Sequence, residues 1–326
     1  MGKILIYKTH DGSGLANRLR ALIGYKALAS CLDMDLELCW TCDTACPATA
    51  DQLFARDFCR LIPMNDVFSV ASNRNFLICE ESTWFDSIWS RHGSDKISYE
   101  QYLEAVRAEL RDIRFAMDVM ERVETASDAF NCKLISSVSD SPPTVNSELS
   151  SLPGIHIRHT DNTFEYKKWS ESAKGSFNLQ KTSSLDGFYA LMDEFAKDGR
   201  FFLASDNQDV TASAFQRYGD RVLTYNKSFN AEASDFWRSE NPDKRQLAAE
   251  RQFYLRTRTT SITDALVELL LLSRCREVTG TYYSSFGKMA AMLGGIPYSE
   301  IQGEKRVSDP MLSGKMQLRC SQFLRT

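Results

Sequence analysis

Short apolar runs alternate with longer stretches of helical periodicity along most of the chain, and the alternation happens twice. Residues 3–7 form an apolar run of strand length. A polar turn follows (Asp11-Gly12-Ser13-Gly14), and a helix is expected over residues 15–32. Strands are expected over residues 35–40 and 75–79, with a helix over residues 50–61 between them. Residues 99–129 place Tyr102, Leu103, Val106, Leu110, Ile113, Phe115, Met117 and Met120 near a 3.6 period, which predicts one long helix or two short ones. The pattern then stops, because residues 136–153 are rich in Ser, Pro, Asp and Asn. Alternation restarts with strands expected at 154–158, 200–204, 221–224 and 277–280, and helices at 184–197, 208–218, 262–275 and 285–293. Strand–helix alternation requires crossover connections, hence parallel strands covered on both faces. The expected organisation is an N-terminal α/β domain over residues 1–135, a linker over 136–153 and a C-terminal α/β domain over 154–326.

The composition fits this reading. A chain of 326 residues with 43% hydrophobic and 25% charged residues holds enough apolar material for two cores. A net charge of −4 gives no general attraction to nucleic acid or an anionic membrane, so any phosphate binding must be local. The opening residues are too short an apolar run for a signal peptide, and residues 265–272 fall far short of a membrane span; the expected location is the cytoplasm. Nine irregularly spaced cysteines fit reduced thiols better than a disulfide framework.

Two motifs carry chemistry. Gly14-Leu15-Ala16-Asn17-Arg18 follows the first strand and opens a helix, where free N–H groups and the helix dipole favour an anion or polar sugar group. It has neither the third glycine of a dinucleotide fingerprint nor the Lys-Ser/Thr of a P-loop, and a plain strand–helix turn is the alternative. His156-Ile157-Arg158-His159-Thr160-Asp161 lies at the end of the first strand of the second half. Period-two alternation buries Ile155 and Ile157 on one face and sends His156 and Arg158 to the other, at the carboxyl end where open α/β sheets bind ligands. The rigid guanidinium fork of Arg158 matches diphosphate oxygens. The alternative is a structural ion pair between this segment and Asp161 or another carboxylate.

His-x-Arg-x-Thr-Asp after a strand, Phe-Leu-Ala-Ser-Asp at residues 202–206, and an apolar helix leading into Thr-Tyr-Tyr-Ser-Ser-Phe at 281–286 resemble the ordered motifs of the α1,6-fucosyltransferases, bacterial nodulation enzymes included. Gly-Leu-Ala-Asn-Arg is similar to the corresponding loop of the α1,2- and protein O-fucosyltransferases. This resemblance to the fucosyltransferase superfamily covers residues 4 to about 295. It implies a GT-B glycosyltransferase fold, two Rossmann-like α/β domains with parallel sheets facing a cleft, with the acceptor on the first domain and the nucleotide sugar on the second. It implies that His156 and Asp206 contact guanine, that Arg158 holds the β-phosphate, and that Ser284, Ser285 and Phe286 present donors to phosphate. Gly14, Asn17 and Arg18 would approach the donor from the first domain. The implied reaction is inverting, metal-independent transfer of L-fucose from GDP-β-L-fucose to a glycan or glycoconjugate hydroxyl, with no cofactor beyond the donor. Another nucleotide-sugar donor, or a catalytically silent binding protein of the same fold, is the alternative.

The sequence departs from the α1,6 pattern at His159, where a second arginine would stand, and at Tyr166, where an acidic residue would stand; Glu165 is one position earlier. Asp161 or Glu165 is therefore the expected base, with orientation of Arg158 the other role open to Asp161. Asp33-Met34-Asp35 has the Asp-x-Asp form of a metal-diphosphate site, but it precedes a strand, so a turn with solvated carboxylates is expected. Cys39, Cys42 and Cys46, with Cys31 or Cys59 in reserve, lack the second close pair of a structural zinc site and are expected to be ordinary thiols.

Overall fold

The structure, a computed structural model, describes residues 3–43, 45–67, 76–79, 84–135, 148–159, 181–238 and 259–308. Two compact units divide the chain, Met1–Met120 and Glu121–Thr326. In the first, β1 (Lys3–Lys8), α1 (Leu15–Cys31), β2 (Met34–Cys39), α2 (Ala50–Leu53), β3 (Arg60–Leu61), β4 (Phe76–Cys79), α3 (Phe85–His92) and α4 (Tyr99–Asp112) follow in order. The sheet order is β3-β2-β1-β4, with every pair parallel. β1 pairs on both sides, and its residues Ile4, Leu5, Ile6 and Tyr7 are buried, as an unbroken apolar run in a central parallel strand requires. Ile4 and Ile6 cluster with Cys39, Ile62 and Val67, while the Tyr7 ring meets Tyr25 of α1 at 4.8 Å.

Helix α4 starts at a capping box, in which Ser98 accepts from Gln101 N–H and the Gln101 side chain accepts from Ser98 N–H. It lies against α1, where Tyr102 donates to the Gly24 carbonyl at 3.2 Å. A Cβ at Gly24 would come within 2.6 Å of Ile88 and 2.9 Å of the Tyr102 hydroxyl, so the glycine is what allows α3 and α4 to approach so closely.

The helix expected over residues 50–61 is one turn, Ala50–Leu53, and then the chain becomes extended at Phe54 (φ −120°, ψ 153°). Tertiary pairing overrides helical spacing here. Phe54 bridges Phe115 and stacks on Phe58 at 5.4 Å, while β3 aligns with β2 and Ile62 N–H donates to the Leu38 carbonyl.

Helix α5 (Met117–Ile135) runs across the division into the second unit. Within that unit Phe130 meets Phe202, and Arg122 pairs with Asp264 and donates to Tyr225 Oη at 3.0 Å. Residues 136–147 of the expected linker lie outside the described residues; the rest of it holds α6 (Glu148–Ser151) and the start of β5 (Pro153–Ile157). Then come α7 (Leu185–Asp198), β6 (Phe201–Ser205), α8 (Gln208–Tyr218), β7 (Val222–Leu223), α9 (Ala231–Arg238), α10 (Ile262–Ser273), β8 (Glu277–Thr281), α11 (Ser285–Gly294), β9 (Tyr298–Gln302) and β10 (Lys305–Ser308).

The second sheet has the order β10-β9-β8-β5-β6-β7, parallel except for the β9–β10 pair. Counting from β5, this is the doubly wound order 3-2-1-4-5 with one antiparallel strand added, so the direction of winding reverses between β5 and β8. Ile155 and Ile157 of β5 join Phe188, Leu191, Met192 and Phe195 of α7 and Val210 and Ala214 of α8 in the core on one face. Packing of α11 on the sheet is close, for a Cβ at Gly287 of α11 would fall 3.1 Å from the Tyr298 ring, and one at Gly280 of β8 would fall 2.7 Å from the Tyr298 hydroxyl. The expected α/β class, with a largely parallel sheet in each half, is what the structure shows.

Candidate functional site

The reversal of winding puts the ends of β5 and β8 beside each other, and the backbone opens there. The two strands pair from Pro153–Glu277 as far as His156–Gly280. Beyond that, the Thr281 side chain takes over from the ladder. Its Oγ1 accepts from Arg158 N–H at 2.9 Å and donates to the His156 carbonyl at 3.3 Å. Thr281 therefore fixes the backbone from which the half-buried Arg158 side chain leaves the sheet.

His156 lies on the face opposite Ile155 and Ile157, as alternation predicts, and is only 6% exposed. Its ring stacks on Phe286, the second residue of α11, with centroids 4.6 Å apart and planes at 24°. Burial, reinforced by the positive charges of Arg158 and Lys227, pushes its pKa down to about 3, so the imidazole is neutral near pH 7. A neutral imidazole has one donor and one acceptor nitrogen, yet Nδ1 is buried with no hydrogen-bond partner among the described residues.

Ser284 is the N-cap residue of α11, and its side chain makes no capping bond. Ser184, Asn207 and Ser261 do cap α7, α8 and α10. Ser284 is 1% exposed, and its hydroxyl, like His156 Nδ1, has no hydrogen-bond partner among the described residues. A buried polar atom without a partner costs free energy, and two beside one helix N-terminus, where free N–H groups attract negative charge, make this face a candidate site for an anionic, hydrogen-bonding ligand. Tyr283, just before, holds the left-handed conformation at φ 64°, which strains a residue other than glycine.

The end of β6 supplies the third edge. Half-buried Asp206 accepts from His159 N–H at 2.9 Å, joining the loops after β5 and β6. Burial lowers the His159 pKa, partly opposed by Asp206. Ser285 and Phe286 form the first turn of α11, so His156, Arg158, Asp206, Ser284, Ser285 and Phe286 share one edge of one sheet. Asp161 and Glu165 lie outside the described residues.

Gly14, Asn17 and Arg18 belong to the first unit and are assembled differently. Gly14 caps α1 with extended backbone, and a Cβ there would meet nothing within 4 Å. Asn17 Oδ1 accepts from Arg20 at 2.9 Å. Arg18, 0% exposed, pairs with Asp43 at 2.6 Å and donates through Nε to the Ser13 carbonyl at 2.7 Å and through Nη1 to the Thr41 carbonyl. Asp33 (φ 52°) occupies the turn before β2, at the amino end of that strand. Cys31, Cys39, Cys42, Cys46 and Cys59 are free thiols, and among the described residues no three His, Cys, Asp or Glu side chains gather as a metal site.

Thr281, Lys227 and Glu268 were not foreseen at this edge. Thr281 is inside the recognised 281–286 segment but has no polar partner nearby in sequence. Glu268 does leave a signal, a lone carboxylate in the apolar run 265–272, since such a residue is buried only with a counter-charge.

No protein-family model and no curated protein matches the chain. Solved structures do match. The crystal structure of NodZ α1,6-fucosyltransferase soaked with GDP-fucose is 14% identical, with 95% of this chain and 100% of that chain covered and a TM-score of 0.52. The crystal structure of Se-Met fucosyltransferase NodZ from Bradyrhizobium aligns with the same identity, coverage and TM-score. The fold is thus the α/β fold of those fucosyltransferase structures. Among the described residues, no helix is long and apolar enough to cross a membrane.

Proposed function

We propose that the chain is a glycosyltransferase that moves a fucosyl group from GDP-fucose to the hydroxyl of a glycan or glycoconjugate without a metal ion. The observation that carries this reading is the pair of buried polar atoms, His156 Nδ1 and Ser284 Oγ, that have no hydrogen-bond partner among the described residues at the N-terminus of α11. A diphosphate offers acceptor oxygens to Ser284 and to the N–H groups of α11, and its geometry matches the guanidinium fork of Arg158. Likeness to the NodZ fold, solved with GDP-fucose in one case, supports the choice of donor.

In this mechanism the acceptor oxygen bonds to the anomeric carbon as the bond to the β-phosphate oxygen breaks, and the acceptor proton passes to Asp161 or Glu165. Charge grows on the departing diphosphate. Arg158, its backbone pinned by Thr281, and the first turn of α11 then stabilise the transition state more than the bound donor. Asp206 accepts from the guanine N1 and N2 hydrogens, and the stacked His156 and Phe286 rings form the floor of the site.

Calorimetry with GDP, UDP and ADP, in chelator and without added divalent ion, tests the proposal. GDP is expected to bind and the other two to bind much more weakly. Asp206→Ala should weaken GDP binding by about tenfold or more and leave UDP nearly unaffected. Equal losses for both nucleotides would remove Asp206 from base recognition, and a need for Mn²⁺ would overturn the metal-free mechanism.

A further inference from the structure

Strand β7 is two residues long and pairs with β6 only at Phe201 and Phe202. Among the described residues the rest of β6 has no strand on that side, although Ser205 is buried at 3% exposure. A buried carbonyl without a ladder partner needs another donor. Lys227 provides it, with Nζ 2.7 Å from the Ser205 carbonyl. The ammonium is itself buried, with 3% of its side chain exposed, and it is neutralised by Glu268 of α10 at 2.5 Å, whose side chain is 6% exposed.

The next carbonyl is held as well. Thr259 Oγ1, in a residue 4% exposed, donates to the Asp206 carbonyl at 2.5 Å. On the other side Asn207 N–H donates to Ser205 Oγ at 3.1 Å before Asn207 caps α8. The backbone on both sides of the Asp206 α-carbon is thus gripped by buried side chains, at the point where Asp206 leaves the sheet edge.

Filling the gap beside β6 needs only a donor, and a neutral side chain would do that without the desolvation of two charges. The ion pair adds a stiff, charge-assisted grip on one carbonyl. We infer that Lys227 and Glu268 are positioning residues for base recognition, holding the chain so that the Asp206 carboxylate meets the base at a fixed distance and angle. This inference rests on the reading of Asp206 as the residue that accepts from guanine.

The test compares GDP with inosine diphosphate, which differs only by lacking the 2-amino group. Both affinities are measured by calorimetry on the full chain. The Lys227→Met/Glu268→Leu double variant removes both charges together, so neither is left buried alone. The variant is expected to fold, with a melting temperature lowered by several degrees because the Ser205 carbonyl loses its donor, while the preference for GDP over inosine diphosphate falls by about tenfold. Lys227→Arg, which keeps the charge and a donor, should retain most of the preference. If the double variant folds and discriminates as the parent does, the pair is structural only and the inference is wrong. Should that variant fail to fold, Thr259→Val, which releases only the Asp206 carbonyl, decides: a severalfold loss of discrimination supports the inference, and an unchanged ratio overturns it. Asp206→Asn separates the two ideas. If it leaves the parent's preference intact, the base-recognition reading itself fails, and the inference falls with it for that distinct reason.

Discussion

Each unit contains a corner where the chain leaves a central part of a parallel sheet and opens a helix without a side-chain cap, at Gly14 before α1 and at Ser284 before α11. Each corner has an arginine at hand, Arg18 in the first turn of α1 and Arg158 at the end of β5, the strand beside β8. In the structure they are opposites. The first is closed by its own residues: Asp43 pairs with Arg18 at 2.6 Å, accepts from Gly12 N–H at 2.8 Å and accepts from Ala45 and Cys46 N–H groups, so one ion pair binds the loops after β1 and β2 together. The second leaves His156 Nδ1 and Ser284 Oγ buried with no hydrogen-bond partner among the described residues. An arginine beside a helix N-terminus is therefore not the mark of a ligand site. What sets the second corner apart is that two buried polar atoms, His156 Nδ1 and Ser284 Oγ, find no hydrogen-bond partner among the described residues beside an uncapped helix start.

The largest effect that tests this contrast is on stability in the first unit. Arg18→Ala leaves Asp43 in a loop built around a cation and removes donors from two backbone carbonyls, and breaking a buried pair in this way costs about 3–5 kcal/mol. The melting temperature should drop by about 10 °C or more. An Arg18→Ala protein that melts like the parent but binds GDP poorly would make this arginine a ligand contact after all and erase the difference between the corners.

The matching change in the second unit should act on turnover and spare folding. Arg158→Lys keeps the charge but replaces a planar fork by a point donor, and the expected loss is about 10² in kcat, the scale of one transition-state donor. Arg158→Ala should lose more, and both should melt within a few degrees of the parent. Near-parent turnover in the lysine variant, or unfolding of either, would make Arg158 a structural partner like Arg18.

Much of the second corner was legible because its determinants are local. Alternation along residues 154–158 placed His156 opposite Ile155 and Ile157, and the 281–286 segment announced a strand that ends at a helix start. What could not be read depended on partners far away in the chain. The side chain of Arg18 turns inward because of Asp43, in another loop. Phe54 leaves the helical path because Phe115 and β2 offer better pairing than another turn. Strands β9 and β10 went unforeseen because Tyr-Ser-Glu-Ile-Gln and Lys-Arg-Val-Ser are polar; β9 becomes a strand beside β8, and β10 beside β9. Lys227 has no sequence signal, since its role comes from the shortness of a neighbouring strand.

The smallest expected effect concerns pH, and it separates a buried neutral histidine from a paired one. The folded-state pKa of His156 is lowered to about 3, by burial first and then by Arg158 and Lys227, whereas in the unfolded chain it is near 6.5. Between these values the unfolded chain holds a proton that the folded protein does not, so the stability gained by keeping His156 neutral is present above pH 6.5 and is lost as pH falls below it. From pH 7 to pH 5.5 this one group should cost about 1 kcal/mol. His156→Gln removes the titration and keeps a polar side chain, so the melting temperature of the variant should fall less steeply with acid over that range than the parent's. Bound GDP should protect the parent at pH 5.5 and above by satisfying the polar atoms at the N-terminus of α11. Parallel pH profiles for parent and variant would mean that His156 finds a proton or a partner in the folded state, and the second corner would then be as self-contained as the first.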